Sequence, residues 1–174
     1  AQLEEVIGST HVAISSVAFD SRKIKKDSLF IATKGTAVDG HDYIQKAVEA
    51  GAIAIVCESL PETRNEHVTY VKVKDSTYAL GIVACNYYDN PSEKLKLVGV
   101  TGTNGKTTTG SLLFSLFKSL GYSVGLLSTV QNKINSNIIP STHTTPDALA
   151  LNELLADMAE QGCEYVFMEV SSHS

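Results

Sequence analysis

Several things are scarce or missing in these 174 residues, and each narrows the reading. No run of Lys and Arg occurs, and the net charge is -5. A surface for nucleic acid or anionic lipid is not expected, because phosphate backbones need clustered positive charge. No apolar run approaches the roughly 20 residues that a membrane-spanning helix requires. The opening "AQLEEVIGST" has no basic start and no apolar core, so no secretory signal is expected there. Cysteine is sparse: Cys57, Cys85 and Cys163 are far apart, odd in number and without a C-x-x-C pair. Three thiols in or beside apolar runs read as packing groups in a reducing compartment rather than as metal ligands or disulfides. Internal repeats and low-complexity tracts are also missing. What remains is an ordinary globular balance, 43% hydrophobic and 19% charged, which argues against disorder.

The chain alternates strand-like and helix-like segments. "HVAISSVAF" (His11–Phe19) and the end of "DSLFIAT" read as strands, and "YIQKAVEAG" as a helix stopped by Gly51. "AIAIVC" (Ala52–Cys57) is continuously apolar, as in a strand covered on both faces. "VTYVKV" is another strand, and Asp75 caps the helix "STYALGIVACNYY". The polar "DNPSEK" (Asp89–Lys94) marks a boundary between a domain at 1–92 and a second at 93–174. There, "KLVGVT", "SVGLLST" and "YVFMEV" (Tyr165–Val170) read as strands. Between them lie a helix with Leu112, Leu113, Leu116, Phe117 and Leu120 on one face, a polar connection "QNKINSNIIPSTH", and a helix that Thr145 caps, with Pro146 first and Gly162 at its end. The fold class is α/β: a small Rossmann-like domain, then the first part of a doubly wound parallel sheet.

The most informative stretch is "VGVTGTNGKTTT", Val98 to Thr109. The P-loop pattern G-x-x-x-x-G-K-[ST] is met at Gly105, Lys106 and Thr107, but Val100 stands where its first glycine belongs. The context is right: a buried strand precedes the loop and an amphipathic helix follows. Glycines let backbone N–H groups face an anion, and the helix start adds unpaired N–H groups and positive dipole. Lys106 supplies a mobile charge for β/γ-phosphate, and the Thr107 hydroxyl can bind Mg²⁺. The alternative is a Gly-rich turn with an exposed lysine. Ligands of parallel sheets gather at the C-terminal strand edge. Glu169, at the end of its strand, can share that edge with Thr107 and complete a Mg²⁺ site.

Taken together, "TGTNGKTTT", "STHTTPDAL" and "MEVSSHS", with "DSRKIKKDSLFIATKG" and "DGHDYIQKAVEAGA" before them, resemble the ATP-dependent Mur ligases of peptidoglycan synthesis. The likeness covers essentially all of the chain. It implies a three-domain protein, of which this sequence resembles the UDP-substrate domain and the first part of the central ATPase domain. It implies ATP and Mg²⁺ as cofactors and a reaction in which ATP phosphorylates the D-Glu carboxylate of UDP-MurNAc-L-Ala-D-Glu. A diamino acid, meso-diaminopimelate or L-lysine, then attacks the acyl phosphate. Position by position, the ATP loop falls on Gly102, Thr103, Asn104, Gly105, Lys106, Thr107 and Thr108. Lys106 and Glu169 take the catalytic roles, and Thr107 and Glu169 the metal. Thr144, Thr145 and Ser171 match positions that hold the muramyl dipeptide. Phe19, Ser21, Thr36, Ala37 and Val38 match the uridine end. Asp20 and Arg22 belong to its Asp-Ser-Arg motif, which a structural ion pair would equally explain. Asp39, Gly40 and His41 match another motif, where His41 could equally close a turn. The family's carbamylated lysine, adenine pocket and amine-binding domain have no counterpart up to Ser174, so the chain is expected not to ligate by itself. The resemblance further implies a cytoplasmic monomer acting on small molecules. Competing readings are a related ligase such as MurF or folylpolyglutamate synthetase, a P-loop kinase, and a non-catalytic UDP-ligand module.

Overall fold

The computed structural model describes residues 2–35, 38–139 and 146–170. Its contacts fall into two units, Ala1–Tyr87 and Tyr88–Ser174, each built on one sheet.

In the first unit, β1 (Leu3–Ile7), β2 (Ser16–Ala18), β3 (Ser28–Ile31), β4 (Ala52–Cys57) and β5 (Thr69–Val73) lie in the order β1-β5-β4-β3-β2. The pairs from β2 to β5 are parallel, and β1 closes the edge antiparallel to β5. Five of the six β4 residues are buried, as a continuous apolar run in mid-sheet must be. Helix α1 (Ile44–Glu49) follows a 3₁₀ turn at Gly40–Tyr43 and packs Ile44 and Ala47 onto Phe30, Ile55 and Tyr70. It stops before Gly51, whose φ of 110° suits glycine and where a Cβ would meet Lys26 Cα at 3.1 Å. Helix α2 (Ser76–Tyr87) starts as expected: Tyr78 N donates to Asp75 Oδ1 at 2.8 Å.

The second unit has β6 (Lys96–Val100), α3 (Lys106–Ser119), β7 (Val124–Leu127), β8 (Asn132–Ile134), β9 (Asn137–Ile139), α4 (Ala148–Glu160) and β10 (Tyr165–Glu169), in the sheet order β6-β10-β7-β8-β9. The strands β6, β10 and β7 are parallel, with β8 and β9 added antiparallel. Alternation along β7 and β10 builds two cores. Leu126 and Phe167 pack with Phe114 of α3, while Leu127 and Val166 pack with Leu155 and Met158 of α4. The helices thus cover opposite faces, which is the doubly wound arrangement.

Four sequence expectations need correction. Strand β1 was not anticipated, and His11–Phe19 contracts to Ser16–Ala18. The polar connection 131–143 contains, in its described part, the hairpin β8–β9, turned at Asn135 with φ 52°. Asp147 caps α4 through Ala150 N, 2.9 Å; Thr145, the expected cap, lies outside the described residues. On α3, Leu112 and Leu116 are 64% and 51% exposed, and the buried side is Gly110 and Phe114. By contacts the second unit starts at Tyr88, a few residues before the expected boundary, and its 3₁₀ segment Pro91–Lys94 packs on α4 and buries Pro91. All three cysteines are free thiols, Cys57 and Cys163 buried and Cys85 half-buried, and burial pushes the Cys57 thiol up to about 11.

Candidate active site

The second unit gathers polar groups at the C-terminal ends of its parallel strands. Leaving β6 at Val100, the chain turns through exposed Thr101–Gly105 into α3. Gly102 and Gly105 have φ of 143° and 81°, yet a Cβ at Gly105 would meet nothing within 4 Å. Glycine is needed here for backbone conformation rather than for space. The first amides of α3 have no partner within the helix, and Thr109 N begins its ladder by donating to Gly105 O at 2.8 Å. Lys106 Nζ folds back over the loop and donates to Gly102 O at 2.6 Å. Thr103, Asn104 and Thr108 are exposed around the same turn.

Register brings Glu169 to this loop. β10 lies beside β6 with Glu169 opposite Val100, and Val170 N donates to Val100 O at 2.9 Å. Thr107 Oγ1 donates to Glu169 Oε2 at 3.0 Å. The other oxygen, Oε1, is buried and lacks a hydrogen-bond partner among the described residues. A buried acceptor left in this state is costly, and a hard cation beside Thr107 would satisfy it. The side chains present therefore fit Mg²⁺.

One member of the cluster was missed in the sequence. Thr129 Oγ1 donates to the same Glu169 Oε2 at 3.4 Å. It sits just past β7 in a turn that Ser128 fixes, its Oγ accepting from Gln131 N at 3.1 Å and donating to Gln131 O at 2.8 Å. The available signal was position: "ST" follows a wholly buried strand of the same sheet, whose end must open on the same edge. Thr144, Thr145 and Ser171, expected at the substrate, lie outside the described residues.

The first unit has its own concavity, a cavity of ≈ 580 Å³ lined by Phe19, Ser21, Arg22, Thr33, Val38 and Tyr43 among others. Phe19, Ser21 and Val38, three of the positions assigned to the uridine end, line this one cavity, while Thr36 and Ala37 lie outside the described residues. Asp20 caps the 3₁₀ turn Ser21–Lys23 by accepting from Arg22 N at 3.0 Å, and Arg22 grips it with Nε at 2.9 Å and Nη2 at 2.8 Å. The guanidinium holds the Asp20 carboxyl down at about 2. The Asp-Ser-Arg motif therefore makes the structural ion pair, and also places buried Ser21 on the cavity wall.

A phosphate-type loop, a facing carboxylate and a preceding small α/β unit define a class, and comparison with known proteins agrees. Residues 13–88 match the family described as "Mur ligase family, catalytic domain", and residues 100–174 match "Mur ligase middle domain". The chain belongs to the Mur ligase family. Its relatives include the UDP-N-acetylmuramoyl-L-alanyl-D-glutamate–2,6-diaminopimelate ligases of Cytophaga hutchinsonii, 56% identical over 173 residues, and Phocaeicola vulgatus, 54% identical over 172. Each match covers 99% of this chain and 36% of the relative, so the chain spans about a third of their length. A solved structure of a ligase of the same name superposes with a TM-score of 0.74 at 28% identity, over 92% of this chain and 32% of that one. The MurF ligase of Thermotoga maritima in complex with ADP gives 0.60 at 26% identity, over 91% and 32%.

Proposed function

We propose that the protein to which this chain belongs is an ATP-dependent amide ligase of peptidoglycan precursor synthesis, joining meso-diaminopimelate to UDP-MurNAc-L-Ala-D-Glu. The observation that carries the reading is the contact of Thr107 with Glu169 beside the Gly102–Thr107 loop, with Glu169 Oε1 unpartnered among the described residues. The names of the relatives supply the substrates. Diaminopimelate rather than lysine rests on those names, since no residue described here reads the amine.

The chemistry transfers the γ-phosphoryl group of ATP to the D-Glu carboxylate. The amine then attacks the acyl carbon, the C–N bond forms, the C–O bond to phosphate breaks, and ADP and inorganic phosphate are released. Such transfer needs positioning and charge neutralisation more than a covalent nucleophile. The first amides of α3 and the loop receive the phosphates. Lys106 exchanges its bond to Gly102 O for a phosphate oxygen. Thr107 and Glu169 would hold Mg²⁺, which when bound neutralises phosphate charge. Thr129 keeps the Glu169 carboxylate turned toward Thr107 through Oε2. The cavity at Phe19, Ser21 and Val38 takes the uridine end; Thr36 and Ala37 are assigned to the same end, and Thr144, Thr145 and Ser171 to the peptide end, by the resemblance alone.

The reading carries with it a cytoplasmic monomer, where ATP and UDP-linked precursors occur, and no nucleic-acid or membrane partner. Among the described residues, no helix is long and apolar enough to cross a membrane. The test is a ligation assay on the whole-length protein with UDP-MurNAc-L-Ala-D-Glu, ATP and Mg²⁺, offering meso-diaminopimelate, L-lysine or D-Ala-D-Ala. Tripeptide formed with diaminopimelate is expected. Turnover with D-Ala-D-Ala on a tripeptide acceptor, or with a folate, would replace this reading by another ligase of the family.

A further inference from the structure

The loop between β3 and α1 lines the first unit's cavity through Thr33, Gly35, Val38 and Gly40. Its ends meet in an antiparallel bridge between Lys34 and Asp39. Gly35 N donates to Val38 O at 3.0 Å, and Gly40 N to Thr33 O at 2.9 Å. Backbone bonds thus close the loop on itself, but side chains fasten it to the body of the unit.

Both fastenings lead to one residue. Lys34 Nζ pairs with Glu58 Oε2 at 2.7 Å. The other carboxylate oxygen, Oε1, accepts from Ser76 N and Ser76 Oγ, each at 3.0 Å, at the buried start of α2. On the other side, Glu58 N donates to His41 Nε2 at 2.8 Å. An amide N–H can only donate, so Nε2 is the acceptor and the ring proton sits on Nδ1. Nδ1 then donates to Asp39 Oδ1 at 2.6 Å, and His41 N donates to the same oxygen at 2.9 Å. The carboxylate of Glu58 therefore holds the Lys34 end, and its amide holds the Asp39 end through His41. None of Lys34, Asp39, His41 and Glu58 is among the residues lining the cavity. Contact with a ligand does not account for the network, whereas orientation of the lining residues does. The Lys34 ammonium holds the Glu58 carboxyl down at about 2, in keeping with a charge-assisted bond.

We propose that Glu58 and His41 are positioning residues for a nucleoside diphosphate in this cavity, holding both ends of the Lys34–Asp39 loop so that Gly35, Val38 and Gly40 meet the ligand already in place. The proposal rests on the reading of the cavity as the uridine end of the substrate site. Its energetic basis is the competent fraction: apparent Kd equals intrinsic Kd divided by that fraction. A loop released to about one-tenth occupancy of its bound form raises Kd about tenfold without loss of any contact to the ligand.

The experiment titrates the 174-residue chain with UDP by calorimetry and measures ¹⁵N order parameters at Gly35, Val38 and Gly40. Glu58→Ala, which removes the carboxylate but keeps the amide that donates to His41, should weaken UDP about tenfold and lower the order of Gly35 and Val38 more than that of Gly40. Glu58→Gln, which keeps an oxygen for Ser76 but drops the charge facing Lys34, should fall between it and wild type; it also serves if Glu58→Ala does not fold. His41→Gln can place an acceptor near Nε2 and should retain most of the affinity, whereas the shorter His41→Asn should not. That rescue separates positioning from general destabilisation. Wild-type affinity and wild-type order in both Glu58 variants would overturn the proposal. If the wild-type chain binds no UDP, the reading of the cavity falls. The amide order then decides the clamp alone: unchanged order in Glu58→Ala overturns it, and lowered order sustains it.

Discussion

Replacing Glu169 by Met should stabilise the second unit in the absence of metal and destabilise it, relative to wild type, in the presence of Mg²⁺ and ADP. Glu169 Oε1 is buried without a partner among the described residues, while Oε2 accepts from Thr107 at 3.0 Å and from Thr129 at 3.4 Å. An unsatisfied buried acceptor costs about 1–3 kcal/mol, and a hydrogen bond contributes about 0.5–1.5 kcal/mol. The Met side chain removes both effects at similar length. The freed hydroxyls reach solvent, since Thr129 is exposed and Thr107 partly so. With about 2 kcal/mol for the unsatisfied oxygen, about 1 kcal/mol for the Thr107 bond and little for the long 3.4 Å Thr129 contact, the balance is a gain of about 1 kcal/mol. It should appear as roughly fivefold slower amide hydrogen exchange at Val166–Met168, a strand whose opening reports this unit alone. With Mg²⁺ and ADP at about a hundred times their Kd, wild type gains about 2.7 kcal/mol by mass action. Glu169→Met should gain much less, so the order of stability reverses. Faster exchange in the variant without metal would mean that Oε1 is no burden. Equal protection of both proteins by Mg²⁺ and ADP would remove Glu169 from the metal site.

Three further outcomes are expected. Lys106→Ala should leave the fold intact, weaken ADP binding by roughly 10- to 150-fold, the equivalent of a charge-assisted bond, and abolish ligation in the whole-length protein; near-normal turnover would exclude Lys106 from the mechanism. Gly125→Ala should cost about 1–3 kcal/mol by overpacking, because a Cβ there would meet Met158 Sδ at 2.6 Å and Val166 Cγ2 at 3.1 Å; urea unfolding of Gly125→Ala alone and combined with Met158→Ala should show partial recovery in the double variant, and additive losses would refute the contact. Glu58, held at about 2 against an ordinary value near 4.5, has a depressed folded pKa, so its stabilisation is complete above about 4.5 and fades as pH falls toward 2. Acid unfolding followed by circular dichroism should be shallower over that window in Glu58→Gln, and an unchanged acid limb would show that the Lys34 pair contributes nothing.

Local patterns in the sequence determined much of this protein. The apolar run Ala52–Cys57, the cap at Asp75, the stops at Gly51 and Gly162, and the turn into Lys106 each depend on residues a few positions apart, and such signals survive without a fold. The phosphate-type loop was legible for that reason, and so was the end of β10 at Glu169, because parallel strands send their ends to a common edge. Other features are properties of pairing across long separations. Strand β1 reads as polar and exposed, and becomes a strand only because β5 offers it an edge. The β8–β9 hairpin looks like a polar linker until β7 supplies its partner. On α3, periodicity marked a leucine stripe, but the burial of Gly110 beside Leu126 and the seat of Phe114 among Val124, Leu126 and Phe167 decide which side is buried. Thr129 joins Glu169 from 40 residues away, and Glu58 reaches Lys34, His41 and Ser76 only after β4 has been laid between its neighbours. Sequence spacing carries no information about such meetings, because they are set by strand order and register.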